Sequence, residues 1–187
     1  MTADAFDLTE RLQTPVIIMT DLDLGMNDHV TEPLVWDDSR KYDRGKVLSA
    51  EQLENIYTGT SPFNGKWGRY LDVDGDGIPY RTIGGTHPTR GAFVTRGSSR
   101  DEYGVYTEDG DAYKRNVDRL EKKWETAKEL VPQPHFYQDT NRSKDGVIFF
   151  GTSIFSSEEA IDMLEADGIV LDAMRPKAFP FGKAFQD

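Results

Sequence analysis

The stretch Gly146–Met174, "GVIFFGTSIFSSEEAIDMLEADGIVLDAM", decides the fold class. "GVIFFG" is an apolar run of strand length, and "IVLDAM" is a second. Between them "SSEEAIDMLEADG" reads as a helix, with Ser156 and Glu159 spaced as a capping box. Strand, helix, strand makes a βαβ unit with parallel strands. Two parallel strands are not a stable sheet in water, and both faces of such a sheet need cover. The chain then runs on through "RPKAFPFGKAFQD", which reads as the start of a further element. An incomplete α/β lobe is expected.

Upstream, the pattern changes twice. "DAFDLTERLQ" places Phe6, Leu8 and Leu12 within helical reach, and after Pro15 the run "TPVIIMT" has the β-branched character of a buried strand. That run closes in "DLDLGMND", acidic and Gly residues of the kind found at the carboxyl end of a strand in an α/β sheet. From Asp28 to Thr107 Pro, Gly, Asp and aromatic residues are mixed. One short helix stands out there, about Ala50 to Tyr57, with Ser49 and Gln52 in capping-box register. A structureless stretch this long is uncommon in a compact domain unless it is functional or lies against a partner, and its aromatic residues, Trp36, Trp67 and Tyr70 among them, argue against disorder. Regularity returns at Gly110. Tyr113, Val117, Leu120, Trp124 and Ala127 recur at steps of three and four, one stripe along an amphipathic helix that Pro132 and Pro134 end. The best domain boundary lies between Pro132 and Asp145.

Composition excludes several functions. The 187 residues carry 22 Lys and Arg against 33 Asp and Glu, a formal charge of -11 that repels phosphate backbones and acidic lipid surfaces, so neither nucleic acid nor membrane is an expected partner. With no Cys the chain can supply no disulfide, thiolate zinc site, Cys-ligated iron–sulfur cluster or cysteine nucleophile. The N-terminus lacks a basic start followed by an apolar core, and no apolar run approaches the roughly 20 residues that span a bilayer. A cytoplasmic location is expected.

Two stretches carry candidate chemistry. In "DVDGDGIPY", Asp72, Asp74, Asp76 and Gly77 fill the first positions of an EF-hand loop, but the twelfth is Ile83, so that motif fails. Two readings remain: a non-EF cation loop, since carboxylates this close repel one another unless water or a cation intervenes, and a solvated Asp-Gly turn. "GGTHPTRGAFVTRGSSRDEYG" gathers His87, Arg90, Arg96 and Arg100 beside Asp101 and Glu102. Its Arg residues suit either a carboxylate or phosphate ligand or pairing with the chain's own acids. His29 and His135 are isolated. No dinucleotide fingerprint, Walker sequence or nucleophile elbow occurs.

Taken together, "TPVIIMTDLDLGMND", "YDRGKVL", "RYLDVDGDGIPYRTIGGTHPTRGAFVTRGSSRDEY", "NVDRLEKKWETAKELVP" and "DAMRPKAFPFG" resemble, in order, successive pieces of the α subunit of 2-oxoacid:ferredoxin oxidoreductases of the 2-oxoglutarate type. The resemblance implies partial parallel-sheet lobes: the end of a thiamine-enzyme pyrimidine domain at 1–30, a connector at 31–134, and the start of a transketolase-C-terminal-like domain at 145–187. It implies an assembly that uses thiamine diphosphate, Mg²⁺ and an iron–sulfur cluster to turn a 2-oxoacid and coenzyme A into acyl-CoA, CO₂ and reduced ferredoxin. A β subunit would hold the diphosphate and the cluster. The family's Tyr-Pro-Ile-Thr-Pro-like and Arg-Gly-Gly-Pro-Ser-Thr-Gly-like motifs and its activating glutamate are not found here, so an internal fragment, inactive alone, is expected. Asp21, Asp23, His87 and Arg100 are its candidates for the cofactor cleft or the subunit interface. The rival expectation is a small cation-binding or scaffold module whose chemistry is the Asp72, Asp74 and Asp76 loop.

Overall fold

The computed structural model describes residues 1–59, 61–137 and 143–186. In chain order the elements are helices α1 (Thr2–Leu12), α2 (Leu22–Met26), α3 (Ala50–Thr58) and α4 (Gly110–Leu130), strands β1 (His135–Tyr137) and β2 (Gly146–Ile148), helix α5 (Ser153–Ala166), strand β3 (Asp172–Arg175) and helix α6 (Lys183–Gln186). They divide into two compact units, one of Met1–Val16 with Tyr42–Ala127, the other of Ile17–Lys41 with Lys128–Asp187.

The second unit contains the βαβ. β2 pairs parallel with β3, Val147 opposite Ala173, and α5 crosses between them. Phe149, Ile161 and Ala173 form the buried centre, with Tyr137, Val147 and Ile154 packed around it. The order is β1-β3-β2, because β1 adds an antiparallel edge that the sequence did not signal. The ends of the elements also moved. Strand β3 begins at Asp172, not Ile169, because Gly168 turns left-handed at φ 82° and the N–H groups of Gly168 and Ile169 donate to Glu165 O and Leu164 O. Ile169 is spent closing the helix. Helix α5 begins at Ser153, so Ser156 caps nothing, and its hydroxyl donates to Ser153 O at 3.1 Å.

The expected strand in "TPVIIMT" did not form. No described strand lies beside it, and an apolar run without a ladder partner gains nothing from the β conformation. Ile17, Met19, Val30, Leu34, Val35 and Trp36 are all exposed, and the short helix α2 interrupts this segment after Thr20.

In the first unit the core is Leu48, Leu53, Ile56, Phe63 and Trp67, with Leu71, Val73 and Tyr80 against it. Helix α3 supplies Leu53 and Ile56 because its capping box forms in full: Gln52 N–H donates to Ser49 Oγ, and Ser49 N–H to the Gln52 side chain. Otherwise the region is loop. Trp67 Nε1 donates to Tyr80 O at 3.2 Å, and an isolated bridge joins Val47 to Arg81.

Helix α4 forms where its period required it but presents a different face. Of the apolar stripe, Tyr113 is 60% and Trp124 45% exposed, while Ala112, Lys123 and Ala127 are buried. The inward side is largely polar. Asn116 Nδ2 donates to Arg100 O (2.8 Å), Arg119 Nη1 to Gly77 O (2.9 Å), Lys123 Nζ to Gln13 O (3.4 Å) and Thr126 Oγ1 to Asp76 O (2.7 Å). Loops without a sheet have carbonyl oxygens that no ladder satisfies, and burying them unpaired is costly. The polar face of α4 meets that need, which is why the helix turns this side inward.

Candidate functional site

The Asp-rich loop is organised by Asp72. Its Oδ1 accepts from Gly75 N–H (2.8 Å) and Asp76 N–H (3.2 Å), and its Oδ2 from Gly77 N–H (2.8 Å). Three donors on one carboxylate close the turn, and Gly77 makes it possible. At φ 79° it presses onto α4, where a Cβ would stand 2.3 Å from Lys123 N and 2.7 Å from Arg119 O. Asp74 and Asp76 then face Lys46, whose Nζ lies 2.6 Å from Asp74 Oδ2 and 2.7 Å from Asp76 Oδ2 and donates to Ile78 O at 3.1 Å. An ammonium stands where the acidic pattern asks for a cation. Burial alone would lower the Lys46 pKa, but hydrogen bonds to Asp74 and Asp76 outweigh it and raise it, while the Lys46 hydrogen bond holds the Asp74 carboxyl below its usual range. Among the described residues no three His, Asp or Glu side chains converge as a metal ligand set.

His87 and its neighbours close on α3. The His87 Nδ1 accepts from Thr89 N–H (3.2 Å) and Arg90 N–H (3.1 Å), so the ring proton sits on Nε2, 3.2 Å from Glu54 Oε2. Arg90 grips the same carboxylate from Nε (2.9 Å) and Nη2 (3.1 Å), with its guanidinium 4.3 Å above the Tyr57 ring. Arg100 donates to Tyr70 Oη (3.2 Å) and Gly97 O (2.9 Å), and Glu102 pairs with Arg115. His87 and Arg100 therefore meet different neighbours, all within the chain.

Asp21 and Asp23 are brought together, in the second unit, on Thr152. Asp21 caps α2 by accepting from Leu24 N–H (2.9 Å), and its Oδ2 accepts from Thr152 N–H (3.0 Å) and Oγ1 (2.9 Å); Asp23 Oδ2 lies 3.3 Å from Thr152 Oγ1. The bonds from Leu24 and Thr152 lower the Asp21 pKa. Thr152 is the N-cap of α5, so the two carboxylates border the end of β2 and the start of the crossover helix. Asp23 and Thr152, with Leu22, Met26, Asn27, His29 and Phe155, line an open depression of about 570 Å³. Lys46, Glu54 and Thr152 were not singled out from the sequence. Each is an ordinary polar residue whose partner lies 28 to 131 residues away.

Neither a family model nor a curated protein matches the chain. In structure it is similar to the 2-oxoglutarate:ferredoxin oxidoreductase of Magnetococcus marinus, solved with 2-oxoglutarate, coenzyme A and succinyl-CoA bound. The TM-score is 0.74 at 21% identity, over 97% of this chain and 29% of that one. The chain therefore has the fold of a segment of such an oxidoreductase and spans less than a third of the neighbour's length. Its residues do not fit an iron–sulfur cluster, which needs Cys or His ligands in a set: there is no Cys, and among the described residues no such set. No helix among the described residues is long and apolar enough to cross a membrane.

Proposed function

We propose that the chain is part of the α subunit of a thiamine-diphosphate-dependent 2-oxoacid:ferredoxin oxidoreductase, with 2-oxoglutarate the favoured substrate. The observation that carries this is the fold shared along 97% of the chain with an enzyme of that activity, joined to the motif order of the sequence. The assembly would convert one 2-oxoacid, one coenzyme A thiol and two oxidised ferredoxins into acyl-CoA, CO₂, two reduced ferredoxins and a proton. The carbon–carbon bond to the carboxylate breaks, a thioester forms, and the two electrons released leave one at a time.

This chain's contribution is architectural. It supplies no cluster ligand, so the diphosphate, Mg²⁺ and cluster belong to a β subunit. Residues 1–30 would end the pyrimidine domain, 31–134 form the connector and 145–187 begin the transketolase-C-terminal-like domain. The exposed apolar residues between Ile17 and Trp36 and the outward stripe of α4 support a subunit reading, since contiguous exposed apolar surface marks interaction sites. Asp21 and Asp23 are the carboxylates best placed to meet a partner, beside an open depression. His87 and Arg100, already engaged, would shape the connector.

The test is reconstitution. The complete α chain containing this segment, co-purified with a cluster-bearing β partner, should reduce ferredoxin only with both 2-oxoglutarate and coenzyme A present. Association without any 2-oxoacid-dependent reduction would refute the reading.

A further inference from the structure

We propose that Arg69, Arg119 and Lys123 form a binding site for a phosphate-type oxyanion. All three lie in the unit that contains Tyr42–Ala127. Arg119 and Lys123 sit one turn apart on the inward face of α4, held against the Asp72–Gly77 loop by the close approach of Gly77. Lys123 is 7% exposed, and its ammonium, with three protons to place, has one long contact, to Gln13 O at 3.4 Å. Arg119 Nε is buried and unbonded, and so is Gln13 Oε1. Arg69 is half-buried and, among the described residues, has neither an ion pair nor a hydrogen bond; its guanidinium only approaches the ring of Tyr70 at 5.4 Å.

A buried cation normally has a carboxylate beside it. Here the acid that acts on Arg119 is Asp72, whose oxygens already accept from three backbone N–H groups. The three cations instead act on each other. Burial first, and then mutual repulsion, lowers the pKa of Arg119 through Arg69 and of Lys123 through Arg119 and Arg69; burial lowers that of Arg69. In a chain of net charge -11 this is a local excess of positive charge with unfilled donors. A carboxylate is saturated by one guanidinium, whereas a tetrahedral oxyanion of about two charges matches two guanidinium groups and an ammonium. Lys123 closes the inner end, and the half-buried Arg69 and Arg119 leave an approach from solvent. This inference does not depend on the functional reading above.

The experiment is a thermal melt of the whole 187-residue chain in low-salt, phosphate-free buffer, with inorganic phosphate added and sodium chloride at matched ionic strength as the control. The wild type should show a saturable rise of about 5 to 10 °C at a ligand excess of about 100 over Kd. Arg69→Gln should weaken the phosphate midpoint by about tenfold or more. Lys123→Met should melt higher than the wild type without phosphate and lose the response. A phosphomonoester that reproduces the rise assigns the site to a phosphorylated ligand, and a response to inorganic phosphate alone assigns it to the free ion; either supports the proposal. A flat titration, a rise equalled by chloride, or an Arg69→Gln titration identical to the wild type would overturn it. Should Lys123→Met fail to fold, the Arg69→Gln titration decides.

Discussion

Replacing Lys46 with Met keeps the aliphatic stem beside Tyr80 and removes the ammonium from between Asp74 and Asp76. Three acceptors lose their donor at once. The Lys46 side chain is 21% exposed, but Asp74 and Asp76 are 38% and 34% exposed, so solvent screens much of the pairing. A hydrogen bond to a charged group contributes about 1.5 to 3 kcal/mol, and an exposed ion pair about 0.2 to 1 kcal/mol. Partial burial with three acceptors places the loss near 2 kcal/mol, or about 4 to 8 °C in Tm for a chain of this size. The variant also leaves two bare carboxylates side by side, so millimolar calcium should restore part of its stability and leave the wild type unchanged. The pH dependence is fixed by direction. Asp74 is held below its ordinary 3.8, so its contribution is complete above that value and lost as pH falls through the lower folded pKa. Lys46 is held above its ordinary 10.5, so its contribution is complete below that value and lost as pH rises through the higher folded pKa. The Tm gap between wild type and variant should be flat across neutral pH and narrow at both extremes. Thermal melts followed by circular dichroism measure all of this. A variant melting within about 1 °C of the wild type, or a wild type that calcium stabilises equally, refutes the reasoning.

Gly77→Ala should cost at least about 3 kcal/mol by urea denaturation, since strain at φ 79° adds to a backbone clash, whereas Gly65→Ala, at φ 80° with open space around it, should cost only about 1 kcal/mol. Asp21→Asn should weaken the acceptor for Leu24 and Thr152, and hydrogen exchange should report lost protection at both N–H groups, with no change at α3. Thr126→Val removes the donor to Asp76 O while keeping the side-chain shape; a loss of about 1 kcal/mol is expected, and none if water takes over the carbonyl.

Local signals were legible where the chemistry was local. The box at Ser49 and Gln52 lies within one turn and formed as written, and the βαβ followed from two apolar runs and a helical period between them. Distant partners were not legible. The identical reasoning applied to Ser156 and Glu159 misplaced a helix start, because Asp21, 131 residues away, binds Thr152 N–H and Oγ1 at the turn where α5 begins. The edge strand β1 depends on the free side of β3, which a three-residue stretch after Pro134 cannot announce. At the acidic loop the pattern correctly implied a neighbouring positive charge, yet nothing in the local sequence pointed to Lys46. On α4 the apolar stripe was real, but periodicity says which residues share a side and not which side faces in.

The grip of α4 on main-chain oxygens loosens the tie between sequence and path. Asn116, Arg119, Lys123 and Thr126 recognise atoms that every residue type possesses, so the loops they hold can exchange most of their side chains and still follow the same trace. A course preserved at 21% identity is what such anchoring permits. Drift should then be tolerated freely along the loops and resisted at the few helix positions that hold them.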